Sequence, residues 1–156
     1  KSAKRRIRKI GQRENRWMTD VNHRLSKALV DYYGPITLFV LEDLTDVRFA
    51  TEKHHKDSRY EAVSWAFYQF EQHLAYKSRM NQSEVLKVDA HYTSQRCPKC
   101  GTIDKENRLN REHAFFCKNC AYKSNDDRVA AINIQQLGTE WISGTKRPCY
   151  TKVEIN

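Results

Sequence analysis

Apolar residues recur at spacings of three and four in three segments of the chain, and this period predicts three helices. The first covers about residues 3–33, and its apolar side is made of Trp17, Val21, Leu25, Ala28, Leu29 and Tyr32. The second covers about residues 61–80. The third covers residues 126–138, and it is preceded by the cap residues Ser124 and Asn125.

Two other segments predict strands. Residues 36–41 are β-branched and apolar on both faces, as in a strand buried within a covered sheet. Residues 85–92 alternate between apolar and polar side chains, which indicates a half-covered strand. Residues 45–60 are polar and predict a loop, whereas the tail from Thr139 has no clear pattern. Because strands alternate with helices, the expected fold class is α/β.

Positive charge is concentrated at one end of the chain. The net charge of the 156 residues is +9. Residues 1–16, called the basic arm below, contribute +7 of it, because their cations are opposed by the single acid Glu14. Such an arm is typical of phosphate-binding surfaces. We expect it to bind nucleic acid through Lys4, Arg5, Arg8, Lys9, Arg13 and Arg16; a solvated helix face is the alternative interpretation.

The composition excludes several classes of protein. Hydrophobic residues make up 39% of the chain, which is enough for a packed core and excludes a wholly disordered chain. The longest apolar run, residues 36–41, is far shorter than the ~20 residues of a membrane span, and no signal pattern opens the chain. We therefore expect a cytoplasmic protein without a membrane partner. We also expect no small-molecule substrate. Its first residue is Lys rather than Met, so we also expect a piece of a longer protein.

Four cysteines form two CxxC pairs, Cys97-Pro-Lys-Cys100 and Cys117-Lys-Asn-Cys120, with 16 residues between them. A two-residue gap lets both thiolates of a turn reach one ion, so the spacing predicts Zn²⁺ held by four thiolates. Four protein ligands leave no open coordination position, and the zinc is therefore expected to be structural. A disulfide suits a secreted protein, and an iron–sulfur centre suits this spacing less well. Cys149 lies outside the pattern and is interpreted as a free thiol.

Two carboxylates are candidates for binding a catalytic metal. Glu42 follows the apolar strand, and the carboxyl ends of strands are where open α/β sheets bind ligands. Asp127 has small or apolar helical neighbours, which predicts that its carboxylate faces the sheet, whereas Asp126 is expected to be peripheral and to act as a cap. The alternative for Asp127 is a first-turn acid that complements the helix dipole.

Several motifs together resemble the C-terminal half of the TnpB (OrfB) proteins of insertion sequences, which are similar to the compact type V CRISPR effectors. The resemblance runs over about residues 5–138. Its motifs include a Glu-Asp-Leu strand end, a Thr-Ser-Gln lead into the first CxxC pair and the helix after the second pair. These motifs are Arg16-Trp17, residues 23–27, residues 40–44, residues 74–77, residues 92–101 and residues 125–134.

The resemblance implies a RuvC-like nuclease of ribonuclease H-like fold, interrupted by a zinc ribbon, that cuts DNA under the guidance of an RNA. DNA and guide RNA are the implied partners, and the implied location is the cytoplasm in association with the nucleoid. Glu42 and Asp127 match the second and third of three acids that bind Mg²⁺ or Mn²⁺. The implied domains are a RuvC-like part over 1–94, the ribbon over 95–123, a final RuvC-like helix over 124–138 and a tail over 139–156.

The chain departs from the family at the first acid, which lies on a strand upstream of the basic helix. Asp20 and Asp31 fall within the first predicted helix and do not replace it. We therefore expect a ribonuclease H-like fold without its first strands, and no cleavage by this chain alone. Asp89 is the first substitute to test if the chain does cleave. A non-catalytic zinc-ribbon module that binds nucleic acid is the alternative function, and a protein-interaction piece is a third.

Overall fold

The computed structural model describes residues 2–44, 67–109 and 112–152. The predicted loop over residues 45–60 and the predicted helical residues 61–66 lie outside these ranges. The described residues form two compact units. The first contains residues 2–39 and 67–85, and the second contains residues 40–44, 86–109 and 112–152. Within these ranges no helix is long and apolar enough to cross a bilayer.

Helix α1 spans Ser2–Tyr33, as the apolar period predicts. Residues 2–17 are exposed apart from Gly11, and the buried residues Asn22, Ser26 and Val30 all lie in the second half of the helix. The helix ends at Tyr33 and is followed by Gly34, whose φ of 74° is the left-handed conformation that commonly terminates helices. Residues 2–16 of the basic arm therefore form an exposed helical extension of a packed helix.

Helix α2 spans Phe67–Met80 and packs along α1 in the first unit. The contact is polar as well as apolar. Leu74 is almost completely buried. Gln69 accepts a hydrogen bond from Asn22 at 3.2 Å, and the Lys77 ammonium donates to the Ser26 hydroxyl at 2.7 Å. These bonds satisfy polar groups that helix packing removes from water.

Strands β1 (Leu38–Glu42) and β2 (Glu84–Val88) pair in a two-stranded sheet. The Ile36 N–H donates to the Gln82 carbonyl at 3.2 Å, and the Asp43 N–H donates to the Val88 carbonyl at 2.7 Å. The residues before β1 bond to those before β2, and the residues at the end of β1 bond to those at the end of β2. The two strands therefore run in the same direction, and α2 lies in the connection between them.

Strand β2 is shorter than the alternation over residues 85–92 predicts. After Val88, the Asp89 carboxylate accepts the His91 N–H at 2.7 Å, and Tyr92 adopts a φ of 63°. A side-chain turn of this kind replaces strand hydrogen bonds with local ones. The prediction of a strand over 89–92 is therefore wrong.

The segment predicted as the ribbon, described over residues 95–109 and 112–123, carries a three-stranded antiparallel sheet in the order β3-β4-β5, whose last strand continues to Asn125. Its strands are Arg108–Leu109, Ala114–Phe116 and Lys123–Asn125, and a short 3₁₀ helix over Lys105–Asn107 precedes them. Phe115 lies in the central strand and is buried with Cys97, Cys117 and Val129. Since Val129 belongs to the helix that follows, the ribbon and that helix share one core.

Helix α3 spans Asp126–Ile142, and its N-cap Asn125 accepts the Arg128 N–H at 3.0 Å, as predicted. The helix continues beyond the predicted end at residue 138. Gly138 does not terminate it; a Cβ at this position would lie 2.5 Å from Cγ2 of Val40, so the glycine allows helix and strand to approach closely.

Tyr150, in the C-terminal tail, packs against strand β2 and helix α3. Tyr150 is buried with Val88 and Leu137. Its hydroxyl donates to the Asn133 carbonyl at 2.7 Å, and burial raises the pKa of this phenol. The sequence alone did not predict this contact, because one aromatic residue in a segment without a period carries no directional signal. The observed fold is mixed α/β, as expected.

Candidate functional site

The four cysteines of the two CxxC pairs come together at the ribbon, with all Sγ atoms within 4.8 Å of one another. Cys97 Sγ lies 3.6 Å from Cys120 Sγ, and Cys100 Sγ lies 3.5 Å from Cys117 Sγ. A tetrahedral zinc ion with Zn–S bonds of about 2.3 Å places its thiolates about 3.8 Å apart. The predicted cluster is therefore present, and its geometry fits a four-thiolate zinc ion.

The two CxxC turns share one backbone conformation. In the first, the Cys97 N–H donates to the Thr102 carbonyl and the Gly101 N–H donates to the Cys97 carbonyl, both at 2.9 Å. The second turn repeats both bonds at equivalent positions, also at 2.9 Å. Gly101 has a φ of 77°, and its counterpart Ala121 has a φ of 57°. Alanine in this conformation stores strain that glycine avoids.

The thiols of the first turn titrate differently. Burial raises the pKa of Cys97 to about 12, whereas hydrogen bonding with Thr102 lowers the pKa of Cys100 to about 6. Zinc binds thiolates and not thiols, so an ion held by these cysteines would displace their protons. Cys149 is exposed and lies outside the cluster.

The first turn of α3 places two adjacent acids in opposite environments. Asp126 is 1% exposed, whereas Asp127 is exposed. The sequence predicted the reverse, with Asp127 facing the sheet and Asp126 peripheral, and this prediction is wrong. The helix turns inward the face that carries Asp126, Val129, Asn133 and Leu137. Ala131, which was predicted to face inward, is likewise exposed.

Asp126 joins the ribbon to the start of α3. Arg108 Nε of strand β3 donates to Asp126 Oδ2 at 2.9 Å, and the Asp127 N–H donates to Oδ1 at 3.0 Å. The His113 carbonyl accepts from the Asn125 side chain at 3.0 Å, which adds a second link. Burial alone would raise the pKa of Asp126, but the hydrogen bond and charge of Arg108 outweigh it and hold that pKa below its ordinary value.

Glu42 lies at the end of β1, half-buried, where the sequence placed it. The Thr93 hydroxyl donates to its Oε1 at 2.5 Å. This distance is in the range of charge-assisted O–H···O⁻ bonds. One oxygen of the Glu42 carboxylate is therefore fixed by a neighbouring side chain.

Behind Thr93 lies a fully buried amide, Asn133 of α3. Its Nδ2 donates to the Thr93 carbonyl at 2.7 Å and to the Arg96 carbonyl at 2.8 Å, and its Oδ1 accepts from Arg96 Nη1 at 3.2 Å. The Arg96 guanidinium also lies over the Tyr150 ring, 4.4 Å from its centroid. Both amide protons and the amide oxygen of Asn133 have partners, which makes this network rigid.

The described residues do not gather Glu42 into a group of three metal-ligating side chains. The groups of this kind in the described ranges are the four cysteines and His113 with Asp126 and Asp127. Carboxylate oxygens suit Mg²⁺, but Glu42 and Asp127 by themselves do not complete a two-metal site. Asp89, the candidate substitute, has its Oδ1 2.6 Å from His91 Nδ1.

The six cations assigned to nucleic acid all lie exposed on the first half of α1. They form two adjacent rows along the helix, Lys4 with Arg8 and Arg5 with Lys9, Arg13 and Arg16. In the described part of the chain none of the six forms an ion pair. The opposite side of this segment carries the exposed apolar residues Ile7, Ile10 and Trp17.

Sequence reasoning did not assign Thr93 and Asn133 to the site. Both lie within the motifs quoted above, Thr93 in the lead into the first CxxC pair and Asn133 in the helix after the second. A signal was available for Asn133, because it follows Asp126 by two helical turns and shares its face. Thr93 had no such signal, since its partner Glu42 is distant in sequence.

Comparison with known proteins places this geometry in a family context. Residues 67–134 match the Cas12f1-like TNB domain. The CRISPR-associated endodeoxyribonuclease Cas12f1 of Sulfoacidibacillus thermotolerans is 36% identical over 118 residues, which is 72% of this chain and 25% of that protein. A TnpB-like protein of Methanocaldococcus jannaschii is 31% identical over 82% of this chain and 45% of its own length.

The chain is related to the TnpB and Cas12f1 proteins. It spans between a quarter and a half of the length of these two relatives. Solved structures agree at the level of the fold. A Cas12f1 in complex with sgRNA and target DNA has a TM-score of 0.62 at 23% identity, covering 85% of this chain and 38% of that one. The resemblance to TnpB that the motifs indicate is therefore confirmed.

The part matched to the Cas12f1-like TNB domain holds most of the candidate site. It begins at α2, contains β2, the ribbon and all four clustered cysteines, and ends within α3. Asp127, Thr93 and Asn133 fall inside it, whereas Glu42 lies before it. The Glu42–Thr93 hydrogen bond therefore connects β1 to the matched domain.

Proposed function

We propose that this chain is the C-terminal part of an RNA-guided DNA endonuclease whose catalytic domain has a ribonuclease H-like fold. The observation that supports this most strongly is the similarity to an endodeoxyribonuclease over 72% of the chain. A relative from Escherichia coli, 43% identical over 72 residues, is named a putative RNA-guided DNA endonuclease. DNA and a guide RNA are the proposed partners of the whole protein.

In this proposal Glu42 and Asp127 are ligands of a catalytic Mg²⁺ or Mn²⁺. A divalent ion would stabilise charge on the phosphodiester and lower the pKa of an attacking water. The described residues gather too few ligands around Glu42 for a two-metal site, so the proposal requires a further acid outside the described ranges. We propose that the 156 residues alone do not cleave DNA.

The four clustered cysteines are proposed to hold a structural zinc ion. Their mutual distances fit tetrahedral thiolate coordination, and all four positions of the metal are filled by protein. Zinc in such a site stabilises the fold and takes no part in hydrolysis.

Cleavage of linear duplex DNA tests the proposed acids. The product of the complete reading frame, with its guide RNA and Mg²⁺, is expected to cut, and Glu42→Gln or Asp127→Asn is expected to abolish cutting while DNA binding persists. Glu140→Gln is the matched control, because Glu140 is an exposed acid later on α3. Unchanged cleavage by both site variants would overturn the proposal.

A non-catalytic zinc-ribbon module that binds nucleic acid is the second candidate, and it is compatible with described ranges that gather no three metal-ligating side chains around Glu42. Binding without any metal-dependent cleavage by the complete gene product would support this alternative.

The basic arm is proposed to bind nucleic acid through phosphates in either case. Replacing four of its cations, Arg5, Arg8, Lys9 and Arg13, with alanine should reduce the slope of log affinity against log salt by up to about 3.6 for duplex DNA. The control removes four cations elsewhere, Arg24, Lys27, Lys146 and Lys152. An equal loss in both variants would show that net charge, and not the arm, determines binding.

A further inference from the structure

The carboxylate of Glu42 is held by a neighbour that the proposed chemistry does not use. Thr93 is 2% exposed, and its hydroxyl lies 2.5 Å from Glu42 Oε1 and 3.0 Å from the Ala90 carbonyl. A hydroxyl has one proton to donate. The carboxylate is both the closer and the stronger acceptor, so the proton lies towards Glu42.

The backbone around Thr93 is fixed from both sides. Tyr92 adopts a φ of 63°, a left-handed conformation that costs about 1 kcal/mol or more for a residue with a side chain. The Tyr92 carbonyl accepts both the Gln95 and the Arg96 N–H at 2.9 Å, which closes a tight turn. Strained turns persist where the surrounding structure determines them, and here the amide of Asn133 does so.

The side chain of Asn133 attaches the turn around Thr93 to helix α3. Its two amide protons bind the Thr93 and Arg96 carbonyls, so the turn cannot rotate without leaving buried donors unpaired. Helix α3 also carries Asp127 at its first turn. One rigid helix therefore presents Asp127 and, through Asn133 and Thr93, sets the orientation of Glu42.

We propose that Thr93 is the positioning residue of Glu42, with Asn133 as its support. The inference rests on the proposed function, since it matters for cleavage only if Glu42 is a metal ligand. In metal sites, groups that orient a ligand typically contribute 10- to 100-fold to affinity or activity. Thr93→Val removes the hydroxyl and keeps the shape, whereas Thr93→Ser keeps the hydroxyl.

The first test observes Glu42 directly in the 156-residue chain. In ¹³C-labelled protein, Thr93→Val is expected to shift the Glu42 carboxyl signal, and Thr93→Ser is expected to leave it near its original position. Thr139→Val is the control, because this exposed hydroxyl bonds only within α3. In the unaltered chain, exchange from H₂O to D₂O should shift the Glu42 carboxyl signal more than that of Glu140. This measurement needs no variant to fold, and equal shifts would overturn the inference.

The second test separates the inference from the proposed function. In the complete gene product with guide RNA, Thr93→Val should lower the cleavage rate about 10- to 100-fold at unchanged zinc content, and Thr93→Ser should restore it. If Glu42→Gln abolishes cleavage while Thr93→Val does not reduce it, only the positioning role fails. If Thr93→Ser is as slow as Thr93→Val, the hydroxyl is not the cause and the inference is wrong. If Glu42→Gln cleaves normally, the proposed role of Glu42 fails, and the positioning role fails with it.

Discussion

The ion pair between Arg108 and Asp126 is expected to be the most sensitive contact between the ribbon and α3. The Asp126 side chain is 0% exposed, and that of Arg108 is 38% exposed. Removing one partner of a buried pair typically costs about 3–5 kcal/mol, because the other charge stays buried without compensation. For Arg108→Met we expect the lower end, about 3 kcal/mol, since the Asp127 N–H still binds the carboxylate.

Asp126→Asn is the informative partner variant. The amide oxygen can still accept the Asp127 N–H, and the half-exposed Arg108 can turn to water. We therefore expect a cost of only about 1 kcal/mol. The double variant should be less destabilised than the sum of the two single variants, because no unpaired charge remains. Urea unfolding of the zinc-loaded chain at pH 7, followed by circular dichroism, measures all three.

The pH dependence of the free energy of unfolding gives an independent check, because the lowered pKa of Asp126 determines its direction. The folded-state pKa of Asp126 lies below its ordinary value, so the stability it contributes is present above about pH 4 and is lost as pH falls through the folded pKa. The advantage of the unaltered chain over Asp126→Asn should therefore shrink in acid. The comparison is made above the pH at which zinc is lost, because loss of the ion would unfold the ribbon and separate Arg108 from Asp126. Equal costs for Arg108→Met and Asp126→Asn, together with parallel pH profiles, would refute this account of the pair.

Three further expectations concern the ribbon and α3. Purified chain should contain about one zinc per molecule, and chelation should unfold the ribbon as measured by circular dichroism; a reduced, folded and zinc-free chain would contradict this. Ala121→Gly should raise stability by up to about 1 kcal/mol by relieving the left-handed backbone, whereas Gly101→Ala should lower it, as thermal unfolding would show. Gly138→Ala should cost about 1–3 kcal/mol through its clash with Val40, and adding Val40→Ala should recover most of that loss; no recovery would mean that the close approach is not the cause.

Local chemistry made some parts of the structure predictable from sequence. The two CxxC turns formed as expected, because ligand spacing and a short connection determine them. The extent of helix α1 and the position of Glu42 followed from hydrophobic period and from the end of an apolar run. The period did not identify the buried face of α1, because Trp17, Leu25 and Tyr32 are exposed. The end of β2 did not follow, because the Asp89 turn overrides an alternation that is otherwise favourable. The burial of Tyr150 depends on a tertiary contact with α3, which the tail sequence does not encode by itself.

The reversed environments of Asp126 and Asp127 bear directly on which of the two acids is proposed as a metal ligand. Counting apolar neighbours assigned the inward position to Asp127, because the count could not include Arg108, which lies outside the helix on strand β3. A carboxylate is buried only where a partner compensates its charge, and Arg108 compensates Asp126. Arg108 and the Asp127 N–H then occupy both oxygens of Asp126, whereas Asp127 stays exposed. The proposed metal ligand needs an accessible oxygen, so the corrected geometry favours Asp127 over its neighbour for that proposed role, although the argument from burial that first selected Asp127 was wrong.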